Sequence, residues 1–165
     1  MTADLQNIPI PRGQIRSALF TGLLFLIAVI VFAVPAWMAR TVKPEASVLV
    51  YVCGFFAVQG ILLVYFLPQL WTQIRLKSVE PGNLQGALQK LPGVFEEKTT
   101  IVYAMLGVIA LVNLYALWKE GQTLSAVATA TVFPMLIAQF PTVRKYESWA
   151  KNTLKRFRQG PDAGW

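Results

Sequence analysis

Residues 61–82, ILLVYFLPQLWTQIRLKSVEPG, hold an apolar run that ends in aromatics, then in Arg75 and Lys77, then in a Pro-Gly turn. That order is expected of a helix leaving a hydrocarbon layer, with amphipathic rings at the boundary and cations beyond it. The rest of the chain agrees. Of 165 residues 55% are hydrophobic and only 14% charged, with a mean hydropathy of +0.51. A soluble domain carries about 25% charged residues, so an integral membrane protein is expected.

Counting outward between bracketing charges gives four charge-free intervals, and the spans are set at 17–39, 46–74, 99–118 and 121–143. Each has the roughly 20 residues a helix needs to cross about 30 Å of hydrocarbon. The expected fold is therefore all-α and polytopic, with four transmembrane helices arranged as two antiparallel hairpins. Around the 17–143 membrane domain lie an N-terminal segment, 1–16, and a tail, 144–165. An interfacial connector, 75–98, joins the second and third spans. Arg12 and Arg16 precede the first run and Val34-Pro35-Ala36 offers small residues for cleavage, but the run is longer than a signal peptide's apolar region, so a retained span is expected.

Orientation follows from the cations. If the N-terminal segment, the connector and the tail share one side, that side holds all of the 15 Lys and Arg except Arg40, Lys43 and Lys119. The positive-inside rule then places both termini in the cytoplasm, with a bacterial inner membrane as the expected location. Trp37, Tyr51, Tyr115 and Trp118 fall near the outer boundary, and Tyr65, Trp71 and Tyr103 toward the inner one.

Within the connector, Pro81-Gly82-Asn83 reads as a turn. Leu84, Ala87, Leu88 and Leu91 then recur at helical spacing, and Pro92-Gly93 is expected to stop that short helix. In the tail, Tyr146, Trp149, Ala150, Leu154 and Phe157 share one helical face. Arg144, Lys145, Lys151, Lys155, Arg156 and Arg158 occupy much of the rest. That is a basic amphipathic helix, suited to anionic inner-leaflet lipid or to an acidic partner groove.

Chemistry is sparsely provided for. The absence of histidine and the single cysteine, Cys53, exclude an internal disulfide, a Cys/His zinc site and a histidine base. No span holds a charged residue in its interior, which argues against a pump. The intramembrane polar candidates are Gln59, Asn113 and Gln139, read first as interhelical hydrogen-bonding groups. Gly54, Gly60 and Gly107 offer packing notches, and Pro134 a kink whose freed carbonyl Thr131 or a neighbour must satisfy. No metal or cofactor is expected; a bound lipid is compatible with the surface and a pigment is left open. Nucleic acid is not expected as a partner, because the charges lie between and after apolar runs rather than on a soluble face.

Pro68-Gln69 followed by Arg75, Lys77-Ser78-Val79 and a glycine resembles the proline-glutamine motif of PQ-loop transporters. Phe140-Pro141 with Arg144, Lys145 and Lys151 is a fainter echo at the end of the fourth span. Membership would imply three-span repeats and solute transport, whereas here each copy closes a two-span hairpin and Thr142 stands where glutamine belongs. Read from the residues alone, the Pro68-Gln69 pair is a helix-end device. Three functions follow: a non-catalytic accessory, scaffold or assembly subunit packed against other subunits or its own copies; a small-solute transporter or channel; and a membrane-embedded transferase using Arg75, Arg144 and Tyr146. The first fits the missing catalytic groups and is the leading expectation.

Overall fold

The computed structural model describes residues 8–40, 48–77, 79 and 83–159. Among these residues the chain forms five helices and no strand: α1 (Arg12–Met38), α2 (Val48–Leu76), α3 (Leu84–Glu120), α4 (Thr123–Ala138) and α5 (Val143–Gln159). Three helices are long and apolar enough to cross a membrane, or four if the bent pair α4 and α5 counts as one span. Residues 41–47, which hold most of the expected first link, most of the Pro81-Gly82-Asn83 turn and the end 160–165 lie outside the described residues.

The organising element is α3. Its 37 residues extend about 55 Å, far beyond the roughly 30 Å of a hydrocarbon core. The Asn83 side chain caps it by accepting from the Gly86 N–H at 2.9 Å. Gly121, at φ 64, ends it with its N–H bonded to the Leu117 carbonyl at 2.8 Å. A left-handed residue is what such an end requires, and glycine adopts it without a Cβ penalty. The expected stop at Pro92-Gly93 does not occur. Leu91, Val94 and Phe95 are all buried, and burial on both sides of the proline outweighs the backbone hydrogen bond it removes.

The expected pairing of α1 with α2 is also corrected. Both lie against α3 and α4 instead of forming a hairpin together, while α3 and α4 do pack as neighbours. Over the most apolar 18 residues of each helix, 56% of the α3 stretch is buried, against 17% for α1 and 22% for α2, which makes α3 the centre. Small residues let the outer helices approach it. A Cβ on Gly22 of α1 would overlap the Tyr103 ring, and one on Gly107 of α3 would overlap Phe25. Tyr103, expected at an interface, is instead fully buried in the core with Leu106, Ala110, Leu114, Val132 and Leu136.

At its far end α4 is shorter than the expected 121–143 span. It covers 16 residues, about 24 Å, before the chain turns by 82° into α5. Lys145 holds that corner, donating to the Ala138 carbonyl and, at 2.9 Å, to that of Phe140. The Thr131 hydroxyl donates to Val127, not to the carbonyl that Pro134 frees.

Beyond the apolar bundle lies a second core. Tyr146, Ala150 and Leu154 of α5 pack with Ala87, Leu91 and Phe95 of α3, joined by Ile8, Ile15 and Val79. The stretch 84–98 is thus the first part of α3, and it supports α5 instead of forming a separate connector.

If close approach through Gly22 holds α1 to α3, then Gly22→Leu should destabilise the protein by about 1 to 3 kcal/mol through overpacking. Gly13→Leu, at a position with open space around it, should be near neutral. Thermal unfolding of the two variants in detergent compares them directly.

Candidate functional site

The residues that leave the apolar part of α2 meet α3 in a three-part clamp. Glu97 accepts from the Trp71 indole N–H at 2.8 Å and from Arg75 twice, Nε to Oε2 and Nη2 to Oε1, each at 2.9 Å. The Arg75 guanidinium also lies 5.0 Å from the Trp71 ring centroid. A forked pair of this kind fixes geometry, yet at the half-exposure of both side chains it adds only about 1 kcal/mol or less. It engages Arg75 and the Glu97 carboxylate with each other.

On the next faces of the same helices is a cleft of about 210 Å³ between α2, α3 and α5. From α2 come Pro68, Gln69, Thr72 and Gln73; from α3, Lys98; from α5, Trp149, Asn152, Thr153 and Arg156. Two cations and several amides line it, and no carboxylate does. Lys98 is half-buried, with its ammonium 5.2 Å from the Trp149 ring centroid. Trp149 is held in turn by Phe95, at 5.3 Å between ring centroids.

The threonines of the cleft differ from one another. Thr72 donates to the Pro68 carbonyl four residues back, as Thr99 does to Phe95. Thr153 is 93% buried, being 7% exposed, and its hydroxyl has no hydrogen-bond partner among the described residues. Gln69, Gln73 and Asn152 likewise have none among these residues.

The other candidates disperse. Gln59 is exposed in the middle of α2, on the side away from α3. Asn113 is buried, donating to the Ile109 carbonyl at 2.9 Å and leaving its Oδ1 without a partner. Gln139, expected inside a span, is the exposed C-cap of α4. Gly60 and Gly107 are tight notches, but Gly54 has only an ordinary contact with Leu124 at 3.5 Å. Pro68 is buried inside α2, eight residues before its last residue, Leu76, so it is not a helix-end device.

The basic helix is corrected in one respect. Its apolar face is covered by α3, so Tyr146, Ala150 and Leu154 do not reach outward to lipid. Arg144, Lys145, Lys151, Lys155 and Arg156 remain exposed, as does Lys77 at the end of α2, while the Arg158 side chain lies outside the described residues. Arg75, Arg144 and Tyr146 therefore do not converge: one is clamped, one exposed and one fully buried. Burial pushes the Tyr146 phenol above its usual pKa, and its hydroxyl finds no partner.

Of this cleft the sequence singles out Pro68, Gln69, Trp149 and Arg156 but not Thr72, Gln73, Lys98, Asn152 or Thr153. No spacing signal links them, because three helices contribute. No protein-family model matches the chain, and no curated protein or solved structure matches it significantly.

Tyr146 gives a test of how α5 is held. Tyr146→Phe removes only an unpaired hydroxyl and should leave stability unchanged or raised. Tyr146→Ala should cost about 3 to 5 kcal/mol and, by unwinding α5, speed trypsin cleavage after the already exposed Lys151 and Lys155, read by the cleavage rate in detergent.

Proposed function

We propose that this chain is a non-catalytic subunit of a larger membrane complex, crossing a bacterial inner membrane four times with both termini in the cytoplasm. In this reading α4 is the short fourth span and α5 lies on the cytoplasmic side, where twelve of the 15 basic residues collect.

Gln59 carries the proposal. It stands at the middle of the apolar length of α2, exposed, with no hydrogen-bond partner among the described residues. On the same face lie Val52, Phe55, Leu63, Phe66 and Leu70, spaced by three and four residues and all exposed. A lone amide facing hydrocarbon is costly. A second helix offering a donor or acceptor there turns that cost into an interhelical hydrogen bond of about 0.6 to 2 kcal/mol. The partner favoured is therefore a transmembrane helix of another polypeptide, with a polar residue at mid-depth.

Two further features support assembly over transport or catalysis. Apolar side chains packed around α3 form the core of the bundle, and Arg75, Arg144 and Tyr146, the groups expected of a transferase, are respectively clamped, exposed and fully buried. The exposed aromatics Trp37, Tyr115 and Trp118 lie at one end, with Arg40 3.8 Å from the Trp37 ring centroid and Lys119 4.7 Å from that of Trp118. That is the arrangement of an outer boundary belt.

Gentle-detergent extraction should recover the chain with at least one other polypeptide, and Gln59→Leu should reduce that recovery while the chain remains folded. Unchanged recovery would remove the role given to Gln59. Orientation is checked separately by thiol labelling in a Cys53→Ala background. Gly13→Cys and Ser148→Cys should react only from the cytoplasmic side and Gln122→Cys only from the opposite one.

A further inference from the structure

The cleft between α2, α3 and α5 has the composition of an anion site, and the face of α2 leading into it indicates which anion. Lys98 and Arg156 bring two positive charges to a cleft with no carboxylate in its lining. The acid next in sequence to Lys98, Glu97, is held by Trp71 and Arg75 on another face. Gln69, Gln73 and Asn152 add amides that can donate to oxygen, and none has a hydrogen-bond partner among the described residues. The Thr153 hydroxyl also has no hydrogen-bond partner among them and keeps accessible surface, unlike Thr72 and Thr99, which bond to carbonyls of their own helices. A hydroxyl that lines a cleft and is not committed to its own helix can donate to a ligand oxygen.

From Gln69 the α2 surface continues through Tyr65, Leu62 and Val58, at spacings of four, three and four residues. All three are exposed. A ligand filling the cleft would thus have one end among cations, amides and a hydroxyl, and a long apolar part along α2. This face adjoins the Gln59 stripe without coinciding with it.

We propose that the cleft is a specific binding site for the phosphate headgroup of an anionic membrane lipid, with Lys98 and Arg156 pairing the phosphate and Gln69, Asn152 and Thr153 completing its hydrogen bonds. An acyl chain lies along Tyr65, Leu62 and Val58. The site shares with the proposed function only the premise that the helices sit in a bilayer; it requires no partner subunit.

Native mass spectrometry of the isolated full chain in detergent tests this with dioleoylphosphatidylglycerol, dioleoylphosphatidylcholine and inorganic phosphate as separate probes. One phosphatidylglycerol should be retained in preference to phosphatidylcholine, and inorganic phosphate alone should not reproduce the retention. Lys98→Gln with Arg156→Gln should weaken retention about tenfold or more. Lys151→Gln with Lys155→Gln, which removes the same charge from exposed positions on α5, should leave it within about twofold. Arg156→Gln alone, at an exposed position that does not threaten folding, should already give a measurable loss. Equal weakening in the two double variants would overturn the proposal, since retention would then follow overall charge. So would equal retention of the two lipids, or binding of inorganic phosphate that matches the lipid. The Gln59→Leu chain should retain lipid as the parent does, so loss of the partner and loss of the headgroup are read independently.

Discussion

Close approach to α3 is the constraint on which the rest of the molecule depends. Gly22 lets α1 settle over the Tyr103 ring, and Gly107 opens the surface of α3 to Phe25. With apolar surface available on every side, what distinguishes one helix arrangement from another is how well side chains and backbones fit. Here the small residues mark where α1 meets the central helix, and α2 and α4 take other sides of it. The core around Leu106, Ala110, Leu114 and Leu136 follows from that choice, as does the separation of α1 from α2.

The second core depends on the length of the same helix. Because α3 continues through Pro92, its first turns stand clear of the apolar bundle and present Ala87, Leu91 and Phe95 to α5. The 82° turn after Ala138 brings α5 across to them, and Lys145 satisfies carbonyl oxygens that the turn leaves without helical partners. Where α5 crosses, residues distant in sequence line one polar cleft. The Trp71, Glu97 and Arg75 clamp lies beside it and engages the Glu97 carboxylate outside the cleft lining.

Helix content and the apolar runs of α1 and α2 were legible because both come from local composition. The facing of each span was not. In a soluble helix the polar side points to water, but α1, α2 and α4 are apolar on nearly all sides, so no periodicity tells the protein-facing stripe from the rest. Gln59 and Asn113 look alike as single amides within apolar runs, yet one is exposed and the other buried. The α5 pattern was clear in the opposite way: its apolar stripe was evident at Tyr146, Ala150 and Leu154, but a stripe alone does not say whether protein or lipid covers it. Pro92-Gly93 misled because a local breaking signal competes with burial of Leu91 and Phe95, which depends on contacts far away in the chain. The cleft was only half visible for the same reason, since Lys98 and Thr153 acquire meaning through helices that meet there.

The unbroken course of α3 has a mechanical consequence. A single helix about 55 Å long passes from the apolar bundle into the second core without a break in its helical residues. Leaning such a shaft by about 10° carries its tip sideways by roughly 10 Å, and everything fastened to its first turns travels with it. Helices in bilayers change their lean as hydrocarbon thickness changes. The position of α5 is thereby tied to the tilt of α3.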